Sequence, residues 1–122
     1  MTEHEHLMTV AMEECVEVAH RIAKAMRFGM EQVQEDADDA PEENPQRLTN
    51  RERIAYEYYQ LRAALGMIGI DAWTTADVAR AVETAKVTKV RRYLERSRRC
   101  GTLDGPPDVS DATVPADKTE AV

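Results

Sequence analysis

The sequence predicts an all-α domain, and three observations carry that prediction. Apolar residues recur three and four apart from Leu7 to Phe28. Thr49-Asn50-Arg51-Glu52 has the spacing of a helix capping box. No stretch alternates apolar with polar residues as a half-buried strand does, and no internal repeat stands out. At 122 residues the chain is long enough for one domain with a modest core.

The first helix is expected over Leu7 to Phe28. Its apolar positions are Met8, Ala11, Cys15, Val18, Ile22 and Ala25/Met26, the pattern of a helix packed lengthwise on others. Gly29 fits the left-handed residue that follows a helix end. Residues 31–48 are polar and acidic and contain Pro41 and Pro45, so they read as a loop without fixed structure in part. Thr49 then starts a second helix whose buried stripe is Ile54, Tyr58, Leu61, Leu65 and Ile68. Thr74 and Asp77 repeat the capping spacing ahead of a third pattern, in which Val78, Val82, Val90, Tyr93 and Leu94 supply apolar contacts. That pattern reads either as one helix from Asp77 to Arg99 or as two with a bend near Ala85, ending at Cys100-Gly101. The expected architecture is a domain over residues 1–103, a helical bundle of three to four helices completed by oligomerisation. Residues 104–122, with three prolines, form a tail expected to lack fixed structure.

Charge is unevenly spread behind a formal net value of −7. Glu35 to Glu43 holds six acids and no base, whereas Lys86 to Arg99 holds seven bases and one acid. That asymmetry points to a phosphate or polyanion near the basic stretch. No apolar run approaches a membrane span, and MTEHEHLM lacks the basic leader and apolar core of a signal peptide. Cys15 and Cys100 lack metal-type spacing, so two reduced thiols in a cytoplasmic protein are expected, with Cys15 filling the core. In HEH, His4 and His6 fit a frayed terminus better than a metal motif.

On the first helix Glu14, Glu17, Arg21 and Lys24 form a stripe beside the apolar seam, and Glu57 has the same relation to the second helix. Antiparallel packing would let Glu14, Glu17 and Glu57 converge at the seam's edge. Carboxylates gathered there are costly unless protonated or neutralised by a cation. Oxygen ligands of this kind suit Mg²⁺ or Mn²⁺, which keep several waters and bind phosphates.

The ordered blocks EECVE, AKAMRFG, LTNRERI, EYYQ and AKVTKVRRYLERSRRCGTL carry a resemblance over roughly residues 7–103. They resemble the EExxE…ExxD signature of the all-α nucleoside triphosphate pyrophosphohydrolases, the MazG-like superfamily, and in particular its small phage and bacterial members. The resemblance implies Mg²⁺-dependent hydrolysis of a (d)NTP to a monophosphate and pyrophosphate, in nucleotide-pool control. It implies Glu14, Glu17 and Glu57 as catalytic metal ligands, Gln60 as a further ligand, and Glu13 as an outer acid or general base. Lys24, Arg27, Lys86 and Lys89 match basic positions near the phosphates. Lys24 and Arg27 equally suit pairing with Glu17 and Glu31 one turn away.

Two departures stand out. Gln60 occupies the position of the motif's Asp, so one ligand is neutral and cannot act as a base. The spacer between Glu17 and Glu57 is long, with an acidic insertion at Glu35 to Asn44. A catalytically weakened or inactive nucleotide-binding or regulatory module of the same fold is therefore the alternative. The expected assembly is a homodimer or dimer of dimers. A nucleic-acid partner fits the basic third helix alone and is opposed by the acidity of the whole.

Overall fold

A computed structural model describes residues 1–33 and 44–105. The acidic stretch Glu35 to Glu43 and nearly all of the expected tail lie outside those residues. Among the described residues every regular element is helical: α1 (Glu3–Phe28), α2 (Asn50–Met67), a 3₁₀ turn (Ile70–Trp73) and α3 (Ala76–Arg99). None of these helices is long and apolar enough to cross a membrane. The chain divides into two compact units, Met1–Trp73 and Thr74–Val122.

In the first unit α1 begins four residues earlier than expected. Thr2 accepts a hydrogen bond from the Glu5 amide at 3.1 Å, and the Glu5 carboxylate accepts one from the Thr2 amide at 2.6 Å. This capping box places His4 and His6 in the first turns of α1, both exposed. The box at Thr49 and Glu52 starts α2 where the sequence puts it. The α1 end differs in detail: Gly29 has φ 104° and ψ 143°, a positive φ outside the left-handed helical region.

The two helices run antiparallel, because the end of α1 is tied to the start of α2. The Asn50 side chain donates to the Gly29 carbonyl at 2.9 Å, and the Asn50 and Arg51 amides donate to Gln32 and Met30. At the other end Ala11, Ala64 and Ile68 form a small core against Leu7, Val10, Leu65 and Ile70. Alanines here let the helix backbones approach closely.

Which flank of each apolar stripe is buried differs from the expectation. On α1 the inward line runs through Leu7, Ala11, Val18, Arg21 and Ala25, while Met8, Cys15, Ile22 and Met26 are exposed. Cys15 is thus a surface thiol and fills no core. On α2 the buried residues are Asn50, Arg53 and Ala64, with Ile68 buried at its C-cap, and Tyr58 is half exposed. An apolar band spanning two adjacent flanks can have only one of them covered by a single neighbouring helix.

In the second unit α3 is one uninterrupted helix of 24 residues. Its cap is Thr75, not Thr74: the Thr75 hydroxyl accepts from the Val78 amide at 3.2 Å. The end at Cys100-Gly101 is as expected, with Gly101 at φ 75°. The Thr102 amide reaches back to the Ser97 carbonyl and the Gly101 amide to Arg98, which satisfies two terminal carbonyls. No residue of α3 is buried, and Val78, Val82, Val90, Tyr93 and Leu94 are exposed instead of packed.

Candidate functional site

Antiparallel pairing sets Asn50 of α2 against Gly29 at the end of α1, Glu57 against Arg21 further along, and Ala64 and Ile68 with Ala11. The middle of the hairpin seam is therefore polar, whereas the end around Ala11 and Ile68 is apolar.

Arg21 and Arg53 are both buried, at 9% and 4% exposure. The Arg21 guanidinium approaches Glu57, with Nε 3.9 Å from Oε1. That separation is an ion pair without a hydrogen bond. Arg21 Nε and Nη1 and Glu14 Oε2 are all buried with no hydrogen-bond partner. Burial pushes the Glu57 carboxyl above the ordinary glutamate range; Arg21 pulls it back, Glu17 and Glu14 push it further up, and Arg53 pulls it down. Glu57 thus feels both acids of α1, which makes the three an electrostatic neighbourhood.

It is not yet a coordination sphere. Among the described residues no three His, Cys, Asp or Glu side chains stand close enough together to hold one ion. The chemistry of the donors nevertheless fits a hard divalent cation: oxygen atoms only, one of them buried and unsatisfied at Glu14. Gln60 is half-buried one turn beyond Glu57, where its amide oxygen can add to the set.

The remaining expected residues fall on α1 and, in the second unit, on α3. Glu13 is exposed on α1 and Lys24 is half-buried. Arg27 is exposed and lies over the Phe28 ring at 5.0 Å. Lys86 and Lys89 are exposed on α3 in the other compact unit, with Lys89 Nζ 5.9 Å from the Tyr93 ring. His20 is a surface residue 3.9 Å from Glu17.

Beside Glu57 a small cavity of about 110 Å³ opens between the Asn44–Leu48 turn and the start of α2. Arg53, Tyr56 and Glu57 line it from the helix, and Asn44 and Gln46 from the turn. The Asn44 side chain holds that turn by accepting from the Leu48 amide at 2.9 Å and donating to its carbonyl at 3.1 Å. The cavity is roomy enough for several waters, so it gives solvent a route to Glu57.

No protein-family model, curated protein or solved structure matches this chain.

No motif in the sequence gives Arg21 or Arg53 a role. A signal for Arg21 was present, because it lies four residues after Glu17 and seven after Glu14 and so shares their face. Arg53 lies four before Glu57 and shares its face in the same way.

Proposed function

We propose that this chain is a Mg²⁺-dependent nucleoside triphosphate pyrophosphohydrolase, with Mn²⁺ as a substitute ion. The observation that carries the reading is the buried Glu14 oxygen, unsatisfied in the same seam as Glu17 and Glu57. Bound there, a divalent ion supplies a more acidic water and neutralises charge on phosphate oxygens. Glu14, Glu17 and Glu57 hold the ion, and the Gln60 amide oxygen contributes without charge. Lys24 and Arg27 are assigned to the triphosphate, and Lys86 and Lys89 keep a phosphate role on the resemblance alone. Glu13, exposed outside the seam, takes the outer role of drawing a proton from water.

The test is release of pyrophosphate and monophosphate from a panel of (d)NTPs with Mg²⁺ or Mn²⁺. Glu14→Ala and Glu57→Ala are each expected to lower kcat at least about a hundredfold, the upper range for losing an outer-shell partner of a metal site. Turnover that survives in both variants would end the reading.

A second reading is favoured by Gln60 together with the Arg21–Glu57 pair: a weakened nucleotide-binding module of the same fold. It predicts nucleotide binding without turnover, and a gain of pyrophosphate release in Gln60→Asp.

We also assign a second copy of the chain to the exposed flank of α1. Met8, Met12, Val16, Ile22 and Met26 are all at least 41% exposed. A self-complementary pairing of like faces about a two-fold axis would cover such a stripe on both copies at once.

A further inference from the structure

We propose that Arg21 is the seam's built-in counter-ion: it neutralises Glu57 until a divalent cation displaces it, and then it binds a substrate phosphate. This inference rests on the pyrophosphohydrolase reading and adds to it a residue that trades one partner for another.

The argument starts from what Arg21 fails to do. Its side chain is nine-tenths buried, yet the contact with Glu57 is 3.9 Å long and both Nε and Nη1 lack hydrogen-bond partners. A guanidinium committed to a structural carboxylate makes a short, forked pair. Arginine cannot relieve its burial by losing a proton, so a guanidinium held this loosely is poised between partners. Glu14 Oε2, also buried and unsatisfied, is the complementary half of the same problem.

Charge balance points the same way. Glu57 with the two acids that act on it, Glu14 and Glu17, carries −3, and the two arginines that act on it, Arg21 and Arg53, carry +2. A divalent cation added to that group brings it to +1. An arriving phosphate then offsets the excess, and the planar fork of Arg21 is the matching donor. Cation and phosphate are thereby coupled: the ion takes the carboxylates from Arg21, and the phosphate takes Arg21 from the ion's vicinity.

Two affinities of the full-length protein test this. Mn²⁺ binding is measured alone by electron paramagnetic resonance. A non-hydrolysable α,β-imido deoxynucleoside triphosphate is then titrated calorimetrically at saturating Mn²⁺. Arg21→Met is expected to tighten Mn²⁺ by about tenfold, the low end of what a neighbouring cation does to an ionisable site. The same variant is expected to weaken the analogue by about tenfold through loss of a charge-assisted contact. Arg21→Lys, which keeps the charge, is expected to bind Mn²⁺ as the wild type does. A merely structural arginine would move both affinities down together or neither. That outcome, in a variant whose circular dichroism and melting are retained, overturns the proposal while leaving the pyrophosphohydrolase reading intact. Should Arg21→Met fail to fold, Arg21→Gln carries the same pair of opposite expectations. Wild-type protein that binds no Mn²⁺ in either measurement overturns both readings.

Discussion

Glu57 is asked to be two things at once, a half-buried carboxyl and a charged ligand. Burial raises its pKa, and the raised value has a definite sign for stability. The folded state binds the proton more tightly than the unfolded one, so this contribution is fully present below the unfolded glutamate value, about 4.3. It is lost as pH rises through the higher folded value. Ligand chemistry runs the other way, since the cation needs the ionised form. Titration of the Glu57 carboxyl carbon by NMR is expected to give a midpoint above that of an exposed glutamate. Glu17→Gln should lower the midpoint by removing a repulsive neighbour, and Arg21→Gln should raise it by removing an attractive one. A midpoint unmoved by either substitution would detach Glu57 from the α1 charges. Metal affinity is expected to fall with the same raised midpoint as the solution is acidified.

At the scale of elements the caps and glycines make separable predictions. Thr49→Ala removes a box at the point where α2 meets the α1 turn and is expected to cost about 1 kcal/mol in a denaturant melt. Thr2→Ala acts on an exposed first turn, so it should show as faster amide exchange there with little change in the global melt. Two glycines should respond with opposite signs. Gly66 is helical with open space where a Cβ would stand, and Gly66→Ala is expected to stabilise by about 0.5–1 kcal/mol. At Gly29 φ is 104° and a Cβ would lie 3.3 Å from Gln32 Cγ, so Gly29→Ala is expected to destabilise by more than about 1 kcal/mol.

The same elements mark how far the sequence could be read. Helix starts encoded by a local hydrogen bond are legible: Thr49 to Glu52 carries one such box, and Thr2-Glu3-His4-Glu5 has the identical spacing. The third start was off by one because Thr74 and Thr75 offer similar hydroxyls, and only backbone geometry chooses between them. What a helix faces is a different kind of information. Periodicity located the band holding Ala11 and Cys15 but not which of the two lies inward, because that depends on where α2 runs. For the site, spacing puts Glu14, Glu17 and Arg21 on one side of α1; that Arg21 is buried against Glu57 depends on where α2 runs.

For the whole molecule the thin core is the central fact. Among the described residues the buried apolar ones are Ala11, Ala25, Ala64 and Ile68, three of them alanines. So little buried surface holds a hairpin weakly, and association of copies is the expected remedy. Sedimentation of the wild type is expected to give a homodimer or dimer of dimers. Met12→Lys combined with Val16→Lys, both more than half exposed in the single chain, should shift it toward monomer and lower its melting temperature as concentration falls. A wild type that sediments as a monomer at all concentrations would end this assignment.

The ties that close the base of the hairpin have one more consequence. Asn50 and Arg51 are fastened to Gly29, Met30 and Gln32 by three hydrogen bonds of 2.8 to 2.9 Å, and Arg51 Nε meets Glu31 at 2.6 Å. Chain entering and leaving the stretch between them does so through a closed doorway, and loop length beyond such a doorway changes stability only slowly. The hairpin is therefore a socket into which segments of different length and charge can be spliced without disturbing the acids two or more helix turns away. Exchanging residues 34–43 for a short Gly-Ser linker should leave the melt nearly unchanged, and the interchangeable part of this protein would then be the segment carrying much of its negative charge.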